Sequence, residues 1–243
     1  MSVSTLFTPF HELVKSYNLD PVNMVAGQIA FVPCIFLNEV PLLVECERAS
    51  PTDHFNVKMK IRNANISSDF KQKSKLPIAG LSGLGSTEEL LAAKAKLRPC
   101  ILISRVATEV SEDEVGSVAK KSHFNKPNGI FLPLFGVQSQ NHQKGIPQEM
   151  RSRVDSLMYK QFFYFPQWRI AASKKYAAGD ESVGRLDKLF AASLHAQGML
   201  VTDIKISDEV LVLLRAWASL YLELPLAEQS VAYVNQIIEC ISE

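Results

Sequence analysis

Lys96-Leu-Arg-Pro-Cys-Ile-Leu-Ile-Ser104 is the stretch from which the rest of the chain is read. Proline has no backbone N–H, so Pro99 suits the first residue of a strand and not its middle. The residue before a proline is pushed towards extended geometry, which sets Arg98 outside any helix. Cys100, Ile101, Leu102 and Ile103 then form an unbroken apolar run. Without alternation, such a run reads as a strand buried on both faces. Arg98 is thereby expected on the rim where that strand enters the core.

The whole chain has 243 residues, of which 47% are hydrophobic and 21% charged, enough to build a sizeable core. Its 26 basic and 25 acidic side chains give a net charge of +1, so any nucleic-acid site must rest on a local patch. The cysteines Cys34, Cys46, Cys100 and Cys240 include no Cys-x-x-Cys pair, and three of them lie inside apolar runs. They read as buried thiols of a reducing, cytoplasmic compartment. None of the five histidines stands at metal-ligand spacing from another or from a cysteine, so neither a metal nor a cofactor is expected. His11, Glu12, Lys15 and Asp20 argue against a signal peptide. Polar residues and prolines interrupt the apolar stretch from Met24 to Val44, so no membrane span is expected.

Along the chain, Thr8 to Tyr17 carries apolar residues at helical spacing and predicts a short helix. Ile29 to Leu37 and Pro41 to Cys46 predict strands. Phe55 to Ile61 alternates strictly, with Asn56, Lys58 and Lys60 on its polar side, and predicts a half-buried strand. Ser86 and Glu89 make a capping box ahead of the helix formers up to Lys96, after a Gly80 to Gly85 loop that serves either as plain connection or as an anion cradle. Gly129 to Gly136 and Gln161 to Pro166 predict strands, and Arg151 to Tyr159 a helical turn. Val183 to Ala196 predicts a helix ended by Gly198. Ser207 caps a helix from Asp208 to Glu223, and Pro225 opens another to about Ile241. Strands early and helices late indicate an α+β fold.

Three stretches resemble the PemK/MazF-like toxin family. Arg98-Pro with its apolar run and Ser104 is similar to that family's second core strand. Gly27-Gln-Ile-Ala-Phe-Val32 resembles the opening strand, and Gly184-Arg-Leu-Asp-Lys-Leu189 the late segment before the closing helix. The resemblance implies an SH3-like small β-barrel over residues 20–170, with a large insertion at about 47–96 and a helical C-terminal part over 183–243, all in a single domain 1–243. It also implies a metal-independent endoribonuclease that cuts single-stranded RNA, as a growth-inhibiting toxin or phage-defence effector with an antitoxin or other protein partner. A homodimer is expected, since an exposed sheet edge has to be covered.

Cutting RNA without a metal needs a base for the 2′-hydroxyl, an acid for the leaving oxygen and a cation for the phosphorane charge. The resemblance gives the cationic role to Arg98, whose fork matches phosphate oxygens; a structural ion pair at a strand end is the other reading. Glu47, near the end of the Pro41 to Cys46 strand, is a candidate base, and Asp187 a further catalytic candidate by its place in the family pattern. Arg48, Lys120, Lys121, His123, Phe135 and Arg185 are the candidate RNA-binding residues. Phe124 and Lys126 extend the Lys120 run into the mixture of charge and ring that single strands favour, unless it is an ordinary surface loop. Phe135 stands where the family has a phosphate-binding hydroxyl after its Pro-aliphatic pair, here Pro133-Leu134. That departure supports an alternative, a catalytically inactive barrel that binds a protein or nucleic acid.

Overall fold

The computed structural model describes residues 2–15, 19–36, 40–65, 67–72, 86–106, 127–138, 145–169, 178–194 and 198–242. The chain divides into two compact units, Met1–Pro33 with Leu97–Glu243, and Cys34–Lys96. In chain order the elements begin with α1 (Val3–Leu6), β1 (His11–Leu13), β2 (Gln28–Phe36), β3 (Leu42–Arg48), β4 (Val57–Asn63), β5 (Leu91–Ala92) and β6 (Lys94–Val106). They continue with β7 (Asn128–Gly136), α2 (Gln148–Asp155), β8 (Phe162–Phe165), β9 (Trp168–Arg169), β10 (Ala178–Gly179), β11 (Ser182–Arg185) and β12 (Phe190–Ser193). β13 (Leu200–Ile206), α3 (Asp208–Tyr221) and α4 (Glu228–Ser242) close the chain. The fold is α+β.

The larger unit is built on a strongly curled antiparallel half-barrel sheet of order β1-β13-β2-β6-β7-β11-β8. β7 is shared among three strands: residues 128–133 pair with β6, residues 128–131 also with β12, and residues 134–136 with β11. Inside the curl lies one apolar cluster: Ile29, Ile101, Ile103, Leu132, Leu134, Phe163, Phe165, Ile204 and Ile206 from the strands, with Leu213, Leu214 and Trp217 of α3. The helix fills the space that the curl encloses. The Trp217 indole donates to the Phe162 carbonyl at 3.1 Å, so the largest ring of the helix is buried with its polar atom satisfied. Ser207 caps α3 by accepting from the Val210 N–H, and Asp208 and Glu209 sit in the first turn where the helix dipole favours them. Both C-terminal helices stand where the sequence predicts them.

Cys100 to Ile103 are all buried, as the missing alternation predicts. Gly27 lies at φ +86°, where an added Cβ would meet Ile206 Cγ1 at 3.2 Å; its N–H donates to the Leu102 carbonyl. Three expected helices are corrected. At Thr8 to Tyr17 the described residues hold the strand β1 instead, because His11 and Leu13 find ladder partners in Ile206 and Ile204. The helix formers after Ser86 run into β5 and β6, where Leu91 pairs with Leu43 and Ala92 with Leu42. Strand pairing there outweighs a helix preference of a few tenths of a kcal/mol per residue. The described residues of the expected helix from Val183 to Ala196 fold as β11, a 3-10 turn at Leu186–Lys188, and β12, since both flanks pair with β7. Gly184 is needed there, because a Cβ would lie 2.5 Å from Leu132 Cδ2 and 2.8 Å from Phe165 Cε2. Pro99 falls inside β6 and does not open it. It breaks no bond to β7, whose described pairing starts at Cys100.

The smaller unit has a three-stranded sheet of order β4-β3-β5. Leu43 is buried, and Arg62 forks onto Asp69 at 2.8 Å from both terminal nitrogens while its Nε donates to Glu45 at 2.6 Å. Asp69, only 3% exposed, also accepts from the Asn65 N–H. Among the described residues no helix is long and apolar enough to cross a membrane.

Candidate functional site

The site belongs to the larger unit and follows from strand alternation. Ile101 and Ile103 of β6, and Leu132 and Leu134 of β7, point into the core cluster. The residues between them therefore face the other side of the sheet. Cys100 is opposite Pro133, so continuing that register by two residues sets Arg98 beside Phe135. On β11 the core-facing position is Gly184, which leaves Arg185 on the same outer face as Phe135. Side chains from positions 98, 135 and 185 thus converge without any nearness in sequence.

The Arg98 guanidinium carbon lies 4.2 Å from the centre of the Phe135 ring, and that of Arg185 lies 5.3 Å from it. Two cations share one aromatic platform, each contact contributing on the order of 0.5–2 kcal/mol. Arg185 is oriented further by a bidentate bond to Asp187, with Nε at 3.0 Å from Oδ1 and Nη2 at 2.5 Å from Oδ2. Lys188 Nζ is 3.9 Å from the same carboxylate. The hydrogen bonds from Arg185, then its charge and that of Lys188, hold the Asp187 carboxyl below its ordinary range against a partial burial that works the other way. Asp187 raises the Arg185 pKa in turn, with a smaller contribution from Tyr221.

The cluster therefore gathers three cations against one carboxylate, with Arg98 and Arg185 half-buried and Lys188 exposed. It can grip an anion through Arg98 and through the Arg185 N–H groups that Asp187 leaves over, while the ring keeps Arg98 from collapsing onto the sheet. As a base it is poorly equipped, because Asp187 is committed to Arg185 and its pKa is pulled down.

Of the residues predicted from sequence, Arg98, Phe135, Arg185 and Asp187 come together. Glu47 and Arg48 belong to β3 of the smaller unit, where Glu47 stands opposite Lys58 and Arg48 bonds the His54 ring at 3.2 Å. Lys120, Lys121 and His123, with Phe124 and Lys126, lie outside the described residues, as does the Gly80 to Gly85 loop. Lys188 and Tyr221 are additions. Lys188 lay within the quoted Gly184 to Leu189 stretch, whereas nothing in the local pattern marks Tyr221, which arrives from the far end of α3.

A second polar group sits further along the sheet. Arg151 of α2 donates to the Tyr164 hydroxyl at 3.0 and 3.2 Å and to Glu181 at 2.7 Å. Burial pushes the Tyr164 phenol up to about 12. An open cleft of about 620 Å³ beside it is lined by Val137, Gln138, Gln148, Gln167, Asp180 and Glu181. Amides and carboxylates of this kind do not complement a phosphate. Comparison with family models, curated proteins and solved structures finds no match.

Proposed function

We propose that this chain binds single-stranded RNA as an SH3-like barrel of the PemK/MazF type, gripping the phosphate backbone with Arg98 and Arg185. The observation that supports this reading is the convergence of both guanidiniums on the Phe135 ring. Arg98 suits phosphate because its fork stays charged and matches phosphate oxygens, and Arg185, whose Nε and Nη2 bond Asp187, adds its charge and its remaining N–H donors. Phe135 acts as the cation platform, in the position where the family resemblance would have a phosphate-binding hydroxyl. Binding without cleavage fits the state of Asp187, whose carboxylate is already engaged.

Salt-dependent binding of a fluorescent single-stranded RNA tests the proposal. Arg98→Ala and Arg185→Ala should each weaken binding about tenfold and each flatten the log–log salt slope by about 0.7, the value for one lost phosphate contact on a single strand. Binding that neither substitution disturbs rules the proposal out.

The second reading is RNA cleavage in a toxin–antitoxin or defence setting. It is favoured by the same pair of guanidiniums, which would also stabilise a phosphorane. Incubation of RNA with the protein in EDTA separates the two, since cleavage that disappears in Arg98→Ala selects the nuclease. Growth arrest on expression, lost with the same substitution, would point the same way. The expected homodimer is part of both readings, with β1 and β8 as the end strands of the larger sheet. Its check is the mass by light scattering.

A further inference from the structure

The smaller unit presents a different kind of surface. β4 is an end strand of its sheet, paired among the described residues with β3 alone. It is regular over seven residues and strictly two-faced. Met59 is 64% exposed and Ile61 61%, on the face they share with Val57, and Phe55 just before the strand is fully exposed. The other face carries Lys58, Lys60 and Arg62. Arg62 is taken by Glu45 and Asp69, whereas Lys58 and Lys60 are exposed and make no ion pair among the described residues.

An edge of this length offers a row of backbone N–H and C=O groups to a further strand. Charge decides which strand fits. In antiparallel self-pairing, an even register sets Lys58, Lys60 and Arg62 against the same residues of the second copy. An odd register lays those cations on the partner's apolar face. Like charges directly opposite destabilise the first arrangement, and the second forfeits the two-faced pattern. An extended segment that alternates acidic and apolar residues meets neither difficulty. Its carboxylates fall opposite Lys58 and Lys60 while its apolar side chains cover Met59 and Ile61.

We propose that β4 is a docking edge for an extended protein segment of alternating acidic and apolar residues, added antiparallel as a fourth strand beside Val57–Asn63. This assignment is independent of the RNA site. The probe is a fluorescently labelled peptide, Thr-Val-Glu-Val-Glu-Val-Thr, titrated into the full chain and followed by anisotropy. Two control peptides carry lysine in place of glutamate, or N-methyl groups on the amides that would face β4. The acidic peptide should bind saturably, lose affinity as salt rises, and bind the Lys58→Glu/Lys60→Glu protein about tenfold more weakly, while the lysine peptide gains on that variant. The N-methylated peptide should not bind.

Equal binding of the acidic and lysine peptides, binding of the N-methylated one, or no binding at all overturns the proposal. So does a dimer that the double substitution dissolves, since the edge then serves a second copy. Loss of RNA binding in the same variant overturns it in favour of nucleic acid. Circular dichroism controls the fold of the variant, and the salt titration of the unaltered protein stands without it.

Discussion

The two units are held together by different forces. In the larger one, a curled sheet closes over α3, and about two dozen apolar side chains share one buried cluster. In the smaller one, Cys34, Leu43 and Asp69 are the fully buried residues among those described, and the ion-pair group Arg62–Asp69–Glu45 does much of the fastening. Apolar burial of the first kind rests on shape and tolerates salt. A half-exposed ionic knot of the second kind depends on each partner being present and charged. Each unit also keeps a different surface open: the first a pair of guanidiniums on a ring, the second a lysine-bearing strand edge.

The contrast can be broken in stages. Trp217→Ala removes the largest side chain from inside the curl and should cost about 3–5 kcal/mol of unfolding free energy, read by urea denaturation. A loss below 1 kcal/mol would mean that α3 does not anchor the sheet.

His11 comes next. Its ring is largely buried, its Nε2 finds no hydrogen-bond partner among the described residues, and burial lowers its pKa from 6.5 to about 4. The unfolded chain therefore takes up this proton first, so the stability is fully present above pH 6.5 and is lost as the pH falls through about 4. The loss is up to about 3 kcal/mol. The melting temperature of the unaltered protein should drop across that window, and His11→Gln should flatten the drop.

Gly184→Ala forces a methyl against Leu132 and Phe165 and should cost about 1–3 kcal/mol by the same urea assay. For the smaller unit, Asp69→Asn should speed amide exchange in β3 and β4 about tenfold, while the core strands of the larger unit keep their protection. The mildest and most discriminating change is Asp187→Asn. It frees Arg185 and adds a positive charge to the cluster, so RNA affinity should rise about two- to fivefold. A fall in affinity, or the loss of a cleavage activity, would make Asp187 a working carboxylate.

Much of this was legible in the sequence where one force acts alone. Cys100 to Ile103 has no polar position, so burial on both faces leaves no other reading. The Phe55 to Ile61 alternation became β4, although Phe55, Met59 and Ile61 are exposed where the alternation predicts a buried face, and Ser207 with its acidic first turn became the start of α3. The misreadings fall where distant pairing competes with local preference. Leu-Leu-Ala-Ala at 90–93 favours a helix in isolation, yet Leu43 supplies a ladder partner that no local pattern reveals. In Gly184 to Leu189 the apolar spacing suits a helix, and only the crowding by Leu132 and Phe165 explains the glycine. At the site, Arg98, Phe135, Arg185 and Asp187 could be picked out by resemblance one at a time. Their meeting on one sheet face is a matter of register, which composition does not carry.

β6 shifts register between Leu102 and Ser104, and the Ile103 carbonyl at that shift is taken up by Arg215 of α3, at 3.0 Å from Nε and 2.8 Å from Nη2. The strand that bears Arg98 is thus pinned by a residue more than a hundred positions later, and the first strand, β1, is paired with the last, β13. During synthesis, neither contact exists until Ile206 and Arg215 have left the ribosome. Such long-range closure is slow to form, so Arg98 leaves the ribosome well before the contacts that fix its strand can form.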